Sequence, residues 1–315
     1  MNGNPYGFPF FITTERIKMD LNPNLKNINW YPGHMKKTRE LIEENLRLVD
    51  LVIEVVDARI PVSSRNPIID DLIKDKPRVT ALNKSDLADA SASEEWIRLF
   101  KKAGHEAIAL ECVRGGGVSG LLRLLDGIQT EKDKERNRKR PLRMMIVGVP
   151  NVGKSSLINR LTGRKSAKTG DRPGVTKGKQ WLSLPSGMQL LDTPGILWPK
   201  FEDPKAGLNL AFCGSIKDEV IDQADLALEL IKVLGNEYPR ELTARYKLDT
   251  LTGDPLADME AVAVKRGFIL PGKRIDYQRC ARTLLDEFRS GRIGRITLEK
   301  PDKEAATETE DENHD

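Results

Sequence analysis

The chain has 315 residues, of which 39% are hydrophobic and 31% are charged, and its formal net charge is +4. This length suits a large domain followed by a smaller one, since domains commonly contain about 100–200 residues. No apolar run approaches the roughly 20 residues that cross a bilayer, and the N-terminus lacks the basic start and apolar stretch of a secretion signal. We therefore expect no membrane association and a cytoplasmic protein.

Cysteines and histidines are too sparse for most metal sites. Cys112, Cys213 and Cys280 are far apart and form no CxxC pair, and the three histidines are equally scattered. The pattern predicts neither a disulfide framework nor a thiolate zinc site, and it indicates a reducing compartment. Oxygen-ligated Mg²⁺, arriving with a nucleotide, is the metal that we expect.

Charge is distributed unevenly along the chain. Residues 302–315 hold seven acidic residues against Lys303 alone, so this tail carries −6 and the rest of the chain +10. A basic body suggests a polyanionic partner, and nucleic acid is the first candidate. We predict an acidic disordered tail at 301–315 and an N-terminal extension at 1–29.

Short apolar runs alternate with amphipathic stretches up to about residue 150. The runs 51–57, 79–83, 107–111 and 144–148 predict buried parallel strands, and 38–49, 65–75, 91–103 and 117–129 predict helices. Alternating strands and helices indicate a doubly wound α/β sheet. Two further strands, 180–184 and 188–192, flank the short turn Pro185-Ser186-Gly187, which predicts antiparallel pairing and an edge strand that runs backwards.

Residues 130–143 are dominated by charge and predict an exposed linker before the strand at 144. A solvated connector explains them, and the alternative is contact with RNA through Arg136, Arg138, Lys139 and Arg140.

Beyond residue 203 the strand pattern gives way to helices. Residues 217–234 and 276–290 keep helical spacing of their apolar side chains, with Gly235 as the predicted C-cap of the first helix. Basic residues are frequent near the end of this region: Lys265, Arg266, Lys273, Arg274, Arg279, Arg282, Arg289, Arg292 and Arg295. A phosphate-binding face and an ordinary solvated surface fit them equally.

The segment Gly148–Ser155 matches the phosphate-loop pattern GxxxxGK[ST], between a predicted strand and a predicted helix. Loop amides and the helix N-terminus would cradle phosphates, Lys154 would reach the β and γ oxygens, and the Ser155 hydroxyl would bind Mg²⁺. The predicted phosphate-binding residues of this segment are Pro150, Asn151, Val152, Gly153, Lys154, Ser155 and Ser156.

Two further segments complete the phosphate site. Asp192-Thr193-Pro194-Gly195 ends the strand at 188, so Asp192 would hold the Mg²⁺ shell and the Gly195 amide would meet the γ-phosphate. The polar loop 171–176 ends in Thr176, which would bind both Mg²⁺ and the γ-phosphate.

Asn83-Lys84-Ser85-Asp86 follows the strand at 79 and selects the base. The Asp86 carboxylate can accept from both N1–H and the exocyclic amine of guanine, which adenine cannot supply. Asn83 and Lys84 would brace this guanine-binding loop, to which Ser85 belongs. A surface turn that caps a helix is the alternative for so short a motif. Backbone amides at Cys112 and Val113 could contact guanine O6, although this match is loose.

Together these motifs resemble a known family. The order of the motifs resembles that of the circularly permuted GTPases: NKxD comes first, followed by GxPNVGKSS, PGVT and DTPG. The segment Tyr31-Pro32-Gly33-His34-Met35 resembles the RbgA/YlqF ribosome-biogenesis branch. The resemblance spans roughly residues 29–300 and implies a circularly permuted Ras-like P-loop GTPase domain at 30–203 with a six-stranded, mostly parallel sheet. It further implies a smaller all-helical C-terminal domain at 204–300, basic and RNA-binding.

The resemblance also implies an activity. It implies a cytoplasmic GTPase for late assembly of the large ribosomal subunit, which binds the precursor particle and its rRNA with GTP and leaves on hydrolysis. We expect it to act as a monomer. A nucleotide-stabilised RNA-binding scaffold with incidental turnover is the rival function, and an ATPase with a fortuitous NKxD is a weaker one.

Ras-type enzymes place a glutamine after the DxxG glycine to orient water, and Ile196 stands there in this chain. Hydrolysis should therefore be slow without a partner. The resemblance suggests His34 as the catalytic group once a ribosomal particle orders the site, whereas a lone histidine beside a turn is otherwise typical of a surface residue. Asn151 occupies the place that holds K⁺ in potassium-activated GTPases, and equal hydrolysis rates in K⁺ and Na⁺ would favour a purely structural asparagine.

Overall fold

The structure, a computed structural model, describes residues 35–66, 72–73, 76–163, 180–192 and 203–301. Within these ranges no helix combines the length and the apolarity that a bilayer crossing requires. Contacts divide the described residues into two units, one of residues 35–192 with 297–301 and the other of residues 203–296. In sequence, the second unit therefore lies between two parts of the first unit.

The first unit is an α/β structure around a single six-stranded sheet. Its described helices are α1 (Met35–Leu46), α2 (Ala90–Lys102), α3 (Val118–Glu135) and α4 (Lys154–Thr162). Its strands are β1 (Leu51–Asp57), β2 (Arg78–Asn83), β3 (Glu106–Ala109), β4 (Arg143–Val147), β5 (Gln180–Ser183) and β6 (Gln189–Asp192). The sheet order is β3-β2-β1-β4-β6-β5, and the edge strand β5 pairs antiparallel with β6 whereas the other pairs are parallel. The predicted α/β fold with a mostly parallel sheet and one reversed edge strand is confirmed.

Helices cover both faces of the sheet, which explains why its central strands β1 and β2 are buried along their whole length. All seven residues of β1 are buried. On one face, Ile42 of α1 joins a cluster with Val52, and Trp96 of α2 joins a cluster with Val56 and Leu82. On the other face α3 approaches β3 so closely that a Cβ at Gly120 would lie 3.1 Å from Ile108 Cδ1.

Helix α3 extends further than the sequence predicted, so the first part of the predicted linker at 130–143 is helical, whereas most residues of this segment are exposed as predicted. The helix continues to Glu135, and Arg136 and Arg140 then donate to the Asp50 carboxylate at 2.5 and 2.7 Å. Gln129 accepts from Leu142 N at 2.5 Å. The Asp50 carboxylate is therefore the counter-ion of both arginines within the α/β unit. Arg138 and Lys139 are exposed.

The second unit is helical apart from a short ribbon. It contains α5 (Pro204–Phe212), a 3₁₀ turn (Asp218–Val220), α6 (Gln223–Glu237), α7 (Pro239–Tyr246), α8 (Pro255–Arg266), β7 (Ile269–Leu270), β8 (Arg274–Ile275) and α9 (Tyr277–Arg289). Leu230, Met259 and Leu284 from three of these helices are fully buried. The predicted C-cap at Gly235 is wrong because α6 runs through it to Glu237 and ends before Pro239, which disfavours helix in the preceding residue.

Candidate functional site

The carboxyl ends of three neighbouring strands bring the separate motifs together. The β1–β2 register pairs Asp57 with Asn83, and β4 lies on the other side of β1. The loop after β2 carries the predicted guanine residues and the loop after β4 carries the predicted phosphate residues. Ligands of open α/β sheets bind at this kind of edge.

The phosphate loop joins β4 directly to α4, as the motif requires. Gly148 has φ +150° and a Cβ there would lie 2.4 Å from the Val55 carbonyl oxygen, so glycine alone fits this approach. The Lys154 ammonium lies back across the loop and donates to the Val149 carbonyl at 2.6 Å. Ser155 and Ser156 occupy the first turn of α4, where amides and the helix dipole favour anions.

Asn83 links the predicted guanine loop to the phosphate loop. Its side-chain amide donates to the Val152 carbonyl at 2.7 Å, and its carbonyl oxygen accepts from the Cys112 amide at 3.0 Å. Gly153 packs so tightly beneath it that a Cβ would lie 2.1 Å from Asn83 Nδ2. One buried side chain therefore fixes three loops relative to one another.

Lys84 is held by the buried Asp57 carboxylate at the end of β1. Its ammonium lies 2.9 Å from Asp57 Oδ2, and Arg59 donates to the same carboxylate at 2.9 and 2.7 Å. Burial raises the pKa of Asp57, but the two cations outweigh it and hold the pKa below its usual value. The carboxylate stays ionised, and Lys84 keeps an unusual φ of +60° beside it.

The loop after β3 lies beside the predicted guanine residues. Ser85 donates from its amide and its hydroxyl to the Leu110 carbonyl at 3.1 and 2.9 Å. From α4, the Arg160 guanidinium donates to the Cys112 carbonyl at 2.9 Å and also to the Val113 carbonyl. Burial raises the pKa of the Cys112 thiol to about 12, so this cysteine is not a nucleophile at neutral pH.

Of the two amides predicted to contact guanine O6, the one at Cys112 has a partner within the protein. The Cys112 amide is directed to Asn83 Oδ1, so its main role in the structure is to anchor the loop. Contact with guanine O6 stays a prediction for Val113, whose side chain is 77% exposed. Asp86, in the loop after β2, is half-buried.

The remaining predicted site residues are described in part or lie outside the described ranges. The backbone of Asp192 ends β6, and the register pairs Leu191 with Met145 of β4, so this strand end is close to the phosphate loop. His34, Thr176, Gly195 and Ile196 lie outside the described residues. The described ranges contain no group of three or more histidine, cysteine or acidic side chains that could hold a metal ion.

A Mg²⁺ ion is implied by the motif, and the chemistry of the residues fits it. The Ser155 hydroxyl is half-buried in the first turn of α4, at the end of the phosphate loop. With the predicted ligands Asp192 and Thr176 it would give an oxygen-only ligand set, which is the set that Mg²⁺ prefers.

Two of the basic residues for which a phosphate-binding face and a solvated surface were equal alternatives are paired inside the helical unit. Arg266 donates to the Glu287 carboxylate at 2.7 and 3.0 Å. Arg289 pairs with Asp218 and donates to the Phe212 carbonyl at 3.0 Å. The remaining basic residues of that set are exposed: Lys265, Lys273, Arg274, Arg279, Arg282, Arg292 and Arg295.

Sequence reasoning missed Asp57, Arg59 and Arg160. Asp57 could have been found, because it ends a predicted parallel strand and such ends meet at one edge. Arg59 and Arg160 carry no comparable signal, since their roles depend on the conformation of the turn after β1 and on how α4 faces the loop after β3.

Replacing Asn83 by Ala should weaken nucleotide binding whatever the base. Both loop-linking hydrogen bonds would be lost and two buried backbone groups would lose a partner, which we expect to cost about 2–3 kcal/mol of unfolding free energy. Urea unfolding and titration with fluorescent GDP measure the two effects. Thr130→Ala, which removes one exposed hydroxyl contact on α3, is the control. Unchanged affinity in folded Asn83→Ala protein would contradict the bridging role.

Comparisons with known proteins agree with this geometry. Residues 143–255 match the sequence family described as 50S ribosome-binding GTPase. Ribosome biogenesis GTPase A of Bacillus cereus is 45% identical over 88% of this chain and 95% of its own length. The protein of the same name from Thermotoga maritima is 32% identical over 87% and 95%. A solved structure, GNP-bound YlqF from T. maritima, is similar with a TM-score of 0.58 and 29% identity, covering 84% of this chain and 98% of that one.

Proposed function

Because the chain belongs to the ribosome biogenesis GTPase A family and is a GTPase, we propose that it acts late in the assembly of the large ribosomal subunit. It binds the precursor particle in its GTP state and leaves once GTP is hydrolysed. The matched sequence family, described as 50S ribosome-binding, supports the large subunit as the target. The chain would do this in the cytoplasm and as a monomer.

The observation that carries the proposal is the Asn83 bridge between the phosphate loop and the guanine loop. It joins a site for phosphates to a site for guanine, so the bound nucleotide spans both. Lys154 and the loop Pro150–Ser156, through the backbone N–H groups that follow the proline, would hold the phosphates, with Thr176 and the Gly195 amide at the γ-phosphate. Asp86 would accept from N1–H and the exocyclic amine of guanine.

Hydrolysis transfers the γ-phosphoryl group to water. The bond between the γ-phosphorus and the bridging oxygen breaks, and the products are GDP and inorganic phosphate. His34 would orient the attacking water when the particle orders the site, since Ile196 has no group to do so. Turnover is therefore slow alone and stimulated by the particle.

Two cations would assist binding and charge neutralisation. Ser155, Thr176 and Asp192 would hold Mg²⁺, which when bound offsets the negative charge of the phosphate oxygens. Asn151 would hold K⁺; it is exposed in the phosphate loop, with φ +60°.

RNA contact is proposed for the helical unit. The exposed arginines Arg279 and Arg282 lie on α9, and Arg292 and Arg295 follow it. Such side chains can neutralise phosphates and release counter-ions, which makes binding salt-dependent. Arg266 and Arg289 are less suitable because they are already paired within the unit.

Co-sedimentation with ribosomal particles tests the proposed cycle. The protein should pellet with large-subunit precursors in a non-hydrolysable GTP analogue and stay in the supernatant with GDP, because only the γ-phosphate orders the switch segments. Mature small subunits are the control particle. Equal pelleting with both nucleotides would support the rival function, an RNA-binding scaffold whose turnover is incidental.

A further inference from the structure

The last described residues do not continue the helical unit. Residues 297–301, which we call the C-terminal strap, belong with the α/β unit although the helical unit precedes them in sequence. Thr297, Leu298 and Glu299 are only 0%, 4% and 5% exposed. A glutamate is rarely so buried unless its charge is fully bonded, so Glu299 calls for an explanation.

The Glu299 carboxylate binds the loop that follows β1. It accepts from the Val62 amide at 2.6 Å, from the Ser63 amide at 3.0 and 3.1 Å and from the Ser63 hydroxyl. Backbone amides that converge on a carboxylate form short, charge-assisted bonds. The Glu299 backbone carbonyl also accepts from the buried Trp96 indole at 2.7 Å. The strap is thus bonded through both its side chain and its main chain.

Two more strap contacts involve residues that flank the guanine loop in sequence. The Leu298 amide donates to the Arg59 carbonyl at 2.8 Å, and the Thr297 hydroxyl accepts from the Asp89 amide at 3.0 Å. Arg59 belongs to the loop whose Asp57 carboxylate holds Lys84. Asp89 comes three residues after Asp86 and caps α2. The strap therefore contacts one residue that precedes the loop Asn83–Asp86 in sequence and one that follows it.

A continuous set of bonds connects the strap to Lys84. Val62 and Ser63, held by Glu299, precede Ser64, whose hydroxyl accepts from the Asp57 amide at 2.9 Å and donates to the Ile60 carbonyl at 2.6 Å. Arg59 lies in the same turn and binds the Asp57 carboxylate through two nitrogens. Displacement of the strap would release the turn that orients Asp57 and hence Lys84.

We infer that the C-terminal strap is a positioning element for guanine recognition, acting through Arg59, Asp57 and Asp89 on the loop Asn83–Asp86. This inference rests on the proposed role of that loop in binding guanine. Because coupling between two sites is reciprocal, guanine nucleotide should also strengthen the seating of the strap. The strap that follows the helical unit and the loop Asn83–Asp86 would then each affect the order of the other.

Glu299→Ala in the full chain tests the inference through nucleotide affinity. We expect the Kd for GDP to rise about tenfold. We also expect the preference for GDP over IDP to shrink, because IDP lacks the exocyclic amine that Asp86 would bind. A strap that only stabilised the fold would leave this preference unchanged. Glu106→Ala, which removes an exposed carboxylate 4.0 Å from Lys101, is the matched control.

Hydrogen exchange of the unaltered protein gives a second test, independent of whether Glu299→Ala folds. GDP should slow exchange of the Leu298 amide and of the amides of Val62 and Ser63. No slowing of these amides, or a folded Glu299→Ala protein with unchanged GDP affinity and unchanged GDP-to-IDP preference, would overturn the inference.

The guanine assignment itself is tested separately by Asp86→Asn. If that variant kept its preference for guanine, the proposed base-binding role would fail, and any effect of Glu299 on affinity would need another target. If Asp86→Asn changed the preference but Glu299→Ala did not, only the strap inference would fail.

Discussion

Asp86→Asn is expected to convert the protein from guanine to xanthine nucleotides. The Asp86 carboxylate would accept from two guanine N–H groups, whereas an asparagine amide would face the exocyclic amine with a donor and would suit the carbonyl of xanthine. Sites built around such hydrogen bonds reject a mismatched partner by roughly 10³-fold or more. Affinities for fluorescent GDP and XDP, and kcat/KM for GTP and XTP, measure the change.

Asp126→Asn is the matched control for this switch. The same substitution is made at an exposed aspartate of α3, outside the proposed site. It should leave base preference unchanged. An Asp86→Asn protein that still prefers GTP would exclude Asp86 as the base-reading residue and would revive the ATPase alternative if ATP were then bound equally well.

His34→Ala should abolish particle-stimulated turnover with little effect on GTP affinity. A group that orients or deprotonates water contributes typically 10²–10⁴-fold to the rate, and Ile196 offers no substitute. Single-turnover hydrolysis on saturating large-subunit precursors measures the loss, and titration with fluorescent GTP analogue measures the affinity.

His314→Ala, in the acidic tail, is the control for the histidine substitution. It removes the same ring from a segment outside the proposed site and should keep full stimulation. Stimulated turnover that survives in His34→Ala would assign water activation to another group, and the particle itself would be the next candidate.

The sheet could be predicted from the sequence because its signals are local. The apolar runs around Val55, Ala81 and Ile146 are buried on both faces, and the turn at Pro185–Gly187 forces the reversed edge strand. The phosphate loop was predictable for the same reason, since glycine is required where the backbone approaches Val55. Such features depend on a residue and its immediate neighbours.

Features that depend on distant partners were not predictable. The charged run at 130–143 indicated solvent until Asp50, far away in sequence, supplied its counter-ion. For Arg289 the sequence left phosphate binding and a solvated surface equally open, yet the guanidinium pairs with Asp218. Glu299 beside an acidic tail gave no sign that it is buried against Val62 and Ser63. Charge patterns reveal the amount of charge and not which group neutralises it.

The insertion of the helical unit before the strap has a consequence for synthesis on the ribosome. Domains generally fold from the N-terminus as the chain emerges, but the α/β unit here needs residues 297–301 as well as 35–192. When β6 has left the exit tunnel, about a hundred residues must still be translated before Glu299 can reach the loop after β1. The nascent α/β unit would therefore be completed only after the whole helical unit has been translated.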